Sequence, residues 1–310
     1  MNTTFFIDGG AGRLVTAIPA LEKFAINNPD DDFKVLTAAW ENLYWAHPLL
    51  QNRTFNMNSK GIFENYVKNN RVVTPEPYHS HGFYNQTKHL IEAFDEKINF
   101  TEDHSDLDKP NLYITDRENN SVQFILNDLK LKHKRDKVLV FQPYGSGMKI
   151  ENGKPFDSSY RSLDVDIALK LIYNLSKDFL VLFFGEKDFY HPGDSYSINF
   201  FESNQDIRLW MSLISNCDYF LGVDSLGQHI ARAFNKPGTV IMGSTYEKNV
   251  SYANHFKIYR NNFLPTYVPI RISNIDSDFA SNLNINTTKF TEEDVEKITS
   301  TIKNETKRQL

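Results

Sequence analysis

One stretch constrains this chain more than any other: Phe220 to Thr245, in which apolar runs alternate with small polar loops. Phe220-Leu221-Gly222-Val223 reads as a buried strand, Asp224-Ser225 as a loop, and the residues from Leu226 as a short helix. A turn at Lys236-Pro237-Gly238 then leads into a second strand that ends in Gly243-Ser244-Thr245. Strand, helix and strand in that order imply a parallel sheet, so both loops emerge at its carboxyl edge, where open α/β sheets bind ligands. Asp224 and Ser225 can cap the helix, whose first N–H groups also favour an anion. Gly227 permits close backbone approach, and Gln228 and His229 follow it, with His229 about one turn past Ser225 and on the same side. A capped helix with a satisfied histidine accounts for this segment equally well. The neighbouring loop with Ser244 and Thr245 tips the balance towards a ligand.

Length and composition bound the rest. A chain of 310 residues suggests two domains, and 40% hydrophobic with 24% charged residues is a globular composition. The net charge of −5 provides no general basic footprint for nucleic acid. With Cys217 as the only cysteine there is no intramolecular disulfide, and no apolar run approaches membrane-spanning length, so a cytoplasmic protein is expected.

The amino-terminal strand Thr4-Phe5-Phe6-Ile7 runs into Asp8-Gly9-Gly10-Ala11-Gly12-Arg13 and a helix through Leu14, Ile18, Leu21 and Phe24. Gly10 and Gly12 let bare backbone approach a ligand, as phosphate-cradling loops do. A dinucleotide site would place an acid at the end of the second strand, Phe33 to Thr37, but Asp30, Asp31 and Asp32 precede it. No Gly-Lys-Ser/Thr ending is present either, so a Walker-type loop fails. Arg13 is either a cation facing a diphosphate or an acidic acceptor group, or a solvated residue at a helix start. Asp8 is either a general base or a turn-stabilising aspartate.

From Ala38 to Asn111 the pattern is irregular and aromatic, consistent with the acceptor side of a cleft. Glu76, His79 and His81 are further candidates for a general base. The His-x-His spacing lacks the partners of a metal site, and no metal is expected. A helix is expected over Thr87 to Ile98. A domain boundary is placed between Leu126 and Lys137, where a basic run precedes the new strand Val138-Leu139-Val140-Phe141. This divides the chain into 1–130, 137–290 and a terminal helix at 291–310. The second domain offers a small-residue loop at Gly145, a polar insertion up to Tyr160-Arg161-Ser162, a helix from Leu163 to Ser176, and the buried strand Phe179 to Phe184. Glu186, just after that strand, is either a ribose or base acceptor or a surface acid.

The segment around Asp224, Ser225 and His229, followed by the Gly-Ser-Thr strand end, resembles the signature of glycosyltransferase family 9, the heptosyltransferase-like enzymes. Gly12-Arg13-Leu14-Val15-Thr16-Ala17-Ile18-Pro19-Ala20-Leu21 resembles that family's first loop and helix. Two departures stand out: Arg13 occupies a position where the family usually has an acid, and the later glycine is shifted to give Asp-Ser-Leu-Gly. The resemblance implies an α/β chain with two Rossmann-like domains facing a cleft, the GT-B type, and a C-terminal helix packing back on the first domain. It implies a nucleotide-sugar donor as co-substrate, held by Gly145, Arg161, Glu186, Asp224, Ser225, Gly227, Gln228, His229, Ser244 and Thr245 together with the loop at Gly10 and Gly12. Arg161 stands for the family's basic residue that touches donor phosphate. Transfer would be inverting, with no cofactor or metal, to a saccharide acceptor. A modified nucleic-acid base as acceptor is one alternative, and a non-catalytic nucleotide- or sugar-binding protein is another.

Overall fold

The computed structural model describes residues 2–145, 147–151, 154–157, 159–185, 197–202, 206–260 and 290–307. The chain forms two compact units, Met1–Thr115 and Asp116–Leu310.

Among the described residues the first unit holds a four-stranded sheet of β1 (Thr3–Phe6), β2 (Lys34–Thr37), β3 (Thr54–Asn56) and β4 (Arg71–Val73), ordered β3-β2-β1-β4 with every pair parallel. Helix α1 (Ala11–Asn27) connects β1 to β2 and packs on helix α3 (Leu90–Asn99), and a single turn, α2 (His81–Tyr84), precedes α3. The core begins with Phe5, Phe24 and Phe33, whose rings meet edge to face at 4.9 to 5.9 Å between centroids. α3 opens with a capping box: the His89 ring accepts from the Ile91 N–H, and Glu92 accepts from the His89 N–H. Two of these strands, β3 and β4, lie in the stretch that sequence reading left irregular, because a three-residue strand is too short to show a period.

The second unit begins with helix α4 (Asp116–His133), earlier than the boundary expected at Leu126 to Lys137. The reason is packing: α4 buries Val122 and Leu126 and lies on helix α6 (Ile207–Ser215), with Glu118 and Asn119 bonded to Arg208 and Asn216. The basic run only ends this helix. The sheet that follows comprises β5 (Val138–Gln142), β8 (Leu180–Gly185), β9 (Ile198–Glu202), β10 (Tyr219–Val223), β11 (Gly238–Met242) and β12 (Lys257–Arg260). Its order is β12-β11-β10-β5-β8-β9, all parallel. The order reverses between β5 and β10, as in doubly wound dinucleotide domains, and that reversal is the topological switch point. The polar insertion folds as an antiparallel hairpin, β6 (Met148–Glu151) with β7 (Lys154–Asp157).

Alternation along β8 separates the two faces of the sheet. Val181 and Phe183 join helix α5 (Val165–Leu175) on one side, and Phe184 stacks on Trp210 of α6 on the other. The C-terminal helix Glu292–Lys307 corrects an expectation. It buries Val295, Ile298 and Ile302 in the core of the second unit beside α5. Its apolar stripe completes the cover of its own sheet, and the helix belongs to the second unit.

Candidate functional site

The carboxyl ends of β5, β10 and β11 bring most of the expected donor residues together. β10 is buried along its length and delivers Asp224 and Ser225 to the switch point, and helix α7 (Leu226–Ala233) starts at once. The expected side-chain caps do not form. Ser225 occupies the N-cap position in an extended conformation, but its hydroxyl accepts from Gln142 Nε2 at 3.1 Å, and Asp224 accepts from Gln228 Nε2 at 2.9 Å. Gln142 takes over the capping: its Oε1 accepts from the Gly227 N–H at 2.9 Å. Glycine at 227 follows from that contact, since a Cβ there would lie 2.2 Å from Gln142 Oε1.

A second layer fastens the loops. Asp157, at the end of the hairpin, accepts from the backbone N–H groups of Ser159 (2.8 Å) and Ser162 (3.0 Å) and from both hydroxyls. Ser162 Oγ in turn accepts from the Gly145 N–H at 3.0 Å. The Ser244 hydroxyl donates to the Ser159 carbonyl at 2.6 Å, and the Ser244 N–H donates to the Tyr160 carbonyl at 3.2 Å. The hairpin end, the loop after β5 and the loop after β11 are therefore one hydrogen-bonded frame around the start of α7.

Arg161 stands in that frame, with its Nε donating to Ser159 Oγ at 3.1 Å and its Nη1 at 3.9 Å from Asp224 Oδ2. Tyr160, just before it, has φ 50°, a left-handed conformation that is costly for a tyrosine. Asp224 is buried, and burial pushes its carboxyl above the ordinary carboxylate range. Arg161, the Thr245 hydroxyl and the Gln228 amide oppose that rise without cancelling it. The arrangement is a buried acid with a partly exposed cation beside it, among small-residue loops. An anion placed against Arg161 would meet a partly exposed guanidinium able to form a charge-assisted hydrogen bond.

His229 is also brought to this end of the unit, but its ring is buried and its Nδ1 lies 2.9 Å from the Tyr252 hydroxyl. Glu186 lies outside the described residues. Sequence reading missed Gln142, Asp157, Ser159 and Ser162. Gln142 carried no signal, whereas Asp157-Ser158-Ser159 could have been recognised as an Asx turn.

In the first unit a second group gathers at the carboxyl ends of β1 and β4, which is that sheet's own switch point. Gly9 has φ +109°, and Gly10 opens α1 with no atom within 4 Å of where a Cβ would stand. Both Nη atoms of Arg13 reach Glu76 Oε2, at 3.3 and 3.2 Å, and the guanidinium lies 5.0 Å from the Tyr78 ring centre. The other Glu76 oxygen accepts from the Tyr78 N–H at 3.2 Å. Arg13 and Glu76, expected as separate candidates, thus form one ion pair. Asp8 is exposed and accepts from the Gly9 N–H at 2.6 Å. His79 and His81 are both exposed, and the His81 ring contacts Asn85. Gly12 lies within the first turn of α1.

No protein-family model matches the sequence, and no curated protein matches it either. Solved structures do match the fold. A glycosyltransferase of family 9 from Veillonella parvula superposes with a TM-score of 0.66 at 11% identity, covering 97% of this chain and 96% of that one. The E. coli ADP-heptose lps heptosyltransferase II gives 0.60 at 13% identity, over 92% of this chain and 98% of that one. E. coli heptosyltransferase WaaC with ADP gives 0.55 at 13% identity, over 91% and 99%. The chain therefore has the GT-B fold of the family 9 glycosyltransferases.

Proposed function

We propose that the protein is a cytoplasmic glycosyltransferase that binds a nucleotide-sugar donor in the second unit and an acceptor hydroxyl, most simply that of a saccharide, in the first. The observation that carries this reading is the convergence of Gly145, Arg161, Asp224, Ser225 and Ser244 at the β5/β10 switch point. The fold shared with family 9 glycosyltransferases supports it.

The chemistry follows from what such a reaction needs. The acceptor oxygen attacks the anomeric carbon, the bond to the diphosphate oxygen breaks, and its electron pair leaves with the nucleoside diphosphate. Attack in line in a single displacement inverts the anomeric carbon, and no metal or cofactor enters this scheme. Charge growing on the diphosphate is met by Arg161 and by the small-residue loops. The acceptor proton goes to a base in the first unit. Asp8 ranks first, because its carboxylate is exposed and carries no cation partner among the described residues. Glu76 is tied to Arg13, and His79 and His81 rank behind Asp8.

A thermal-shift screen against nucleoside diphosphates and nucleotide sugars tests the reading. A ligand at a hundred times its Kd adds about 2.7 kcal/mol to stability. A rise selective for one nucleoside, lost in Arg161→Ala, is expected. The absence of any rise in the folded protein rejects the donor assignment. The Arg13–Glu76 pair favours one second reading, a binding protein without transfer activity, since it ties two of the candidate groups at the first switch point to each other. Hydrolysis of a bound donor by the wild type, absent from Arg161→Ala, would exclude that reading.

A further inference from the structure

At the opposite edge of the second unit lies a patch that the transfer scheme leaves unused. α4 and α5 end just before β5 and β8 begin, so their carboxyl ends mark the amino-terminal edge of the sheet. On α4, Phe124 is 78% exposed and Leu131 is 81% exposed. They are seven residues apart and share one helix face.

The basic run at the end of α4 divides into two sets. Arg135 Nε donates to the Ser176 carbonyl at 3.2 Å and Lys137 Nζ donates to the Thr306 carbonyl at 2.7 Å, so these two cations serve helix ends. Lys130, Lys132 and Lys134 form no ion pair among the described residues, and Lys132 and Lys134 are exposed. The Arg135–Ser176 contact brings the end of α5 alongside. There Tyr173 is 63% exposed, with Lys177 Nζ 4.8 Å from its ring centre. Asp136 is the acid within the run, Asp128 is exposed on α4 between Phe124 and Leu131, and Asp178 is paired with Lys303 at 2.6 Å.

We propose that this edge docks on an anionic lipid surface. Basic residues alone would suit a nucleic acid as well as a lipid. Leu131 decides between them, since leucine offers no face for base stacking, whereas together with Phe124 it can enter the boundary between headgroups and acyl chains. The lysines beside them supply attraction to anionic headgroups, and Tyr173 is the type of residue that settles at such an interface. The charge of the whole chain, −5, makes the remaining surface a poor match for the same lipid, which orients the molecule. Docked on this edge, the second unit turns the carboxyl edge with Asp224 and Arg161 away from the lipid. Nothing in the proposal depends on the donor assignment.

Vesicle flotation of the full chain tests it, using phosphatidylcholine alone and a phosphatidylcholine–phosphatidylglycerol mixture at low and high salt. The wild type is expected to float with the mixed vesicles only, and less so at high salt. Two double variants, Phe124→Gln with Leu131→Gln and Lys132→Gln with Lys134→Gln, should each lower the bound fraction on the order of tenfold. All four residues are exposed, so melting temperatures should be preserved, and the lysine variant remains decisive if the apolar one is not. The proposal is overturned if the wild type does not float with the mixed vesicles, or if both variants float as well as it does. Binding of a short duplex oligonucleotide through the same lysines without vesicle binding would overturn it in favour of nucleic acid. A concentration-dependent dimer abolished by the apolar variant, again without vesicle binding, would assign the patch to a second copy.

Discussion

Gln142 joins two parts of the second unit with one side-chain amide, donating to Ser225 and accepting from the first turn of α7. Replacing it with leucine leaves the buried Gly227 N–H without its partner, which costs about 1–3 kcal/mol. Urea denaturation should show that loss, and an unchanged midpoint would mean that the loop does not depend on Gln142. Asp224 gives a test in pH. Its carboxyl is raised above its unfolded value by burial, so below the ordinary carboxylate pKa both states are protonated and it contributes nothing. As pH rises past that value, the folded state resists losing the proton and the side chain begins to destabilise the fold. Asp224→Asn should therefore gain stability relative to wild type as pH rises from about 4 towards neutrality. Parallel melting temperatures across that range would contradict the assignment. These roles were unevenly legible. Asp224 and Ser225 stood out because they end an apolar run, while Gln142 meets them only through the pairing of β5 with β10, strands far apart in sequence, which no local pattern encodes. His229 was legible as a residue near the loop, but its bond to Tyr252 was not.

At the scale of elements, side-chain clusters rather than strands hold the edge of the first unit. Asp95 on α3 is fully buried and accepts from Lys23 at 3.1 Å, from Asn99 at 2.6 Å and from the His104 ring at 2.7 Å. Asp95→Ala would leave Lys23 with Asp106 at 2.7 Å and the Asp103 carbonyl at 2.8 Å but would remove the acceptor it shares with Asn99 and His104, at a cost of about 1–3 kcal/mol. Chemical denaturation measures that directly. Glu96, its neighbour, behaves differently. Burial pushes its carboxyl up, but hydrogen bonds from Lys88, Lys97 and Ser80 outweigh burial and bring it down to about 2. A carboxyl lowered in this way contributes stability above its unfolded pKa and loses it as pH falls towards about 2. Glu96→Gln should accordingly be less stable than wild type near neutrality, with the gap closing in acid. A gap that stays constant down to that pH would rule out the carboxylate as its source. The elements themselves were legible where apolar runs are long, as in β5, β8 and β10. The strands β3 and β4 were not, because their pairing with β2 and β1 defines them and their own three residues do not.

For the molecule as a whole, the division at Thr115–Asp116 makes a claim about which residues fold together. A composition break at Lys130–Lys137 suggested that the second domain starts at β5, and amphipathicity alone could not say which sheet the terminal helix would cover. Packing decides both points, since α4 and the C-terminal helix each bury their apolar stripe in the second unit. The difference can be measured with two fragments. Residues 116–310 keep Glu118 opposite Arg208, whose side chain is 3% exposed and bound through Nε at 2.7 Å and Nη2 at 2.6 Å. Residues 137–310 lose that carboxylate and the α4 surface over α6, including the burial of Val122 and Leu126, at a cost of about 3–6 kcal/mol for two buried side chains. Since a whole domain is stable by only about 5–15 kcal/mol, the shorter fragment should lose most of its cooperative transition while the longer one keeps it. If both fragments melt alike, α4 is a linker after all. If the longer one alone folds and still responds to a nucleoside diphosphate, the frame around Asp224 and Arg161 binds without help from the first unit.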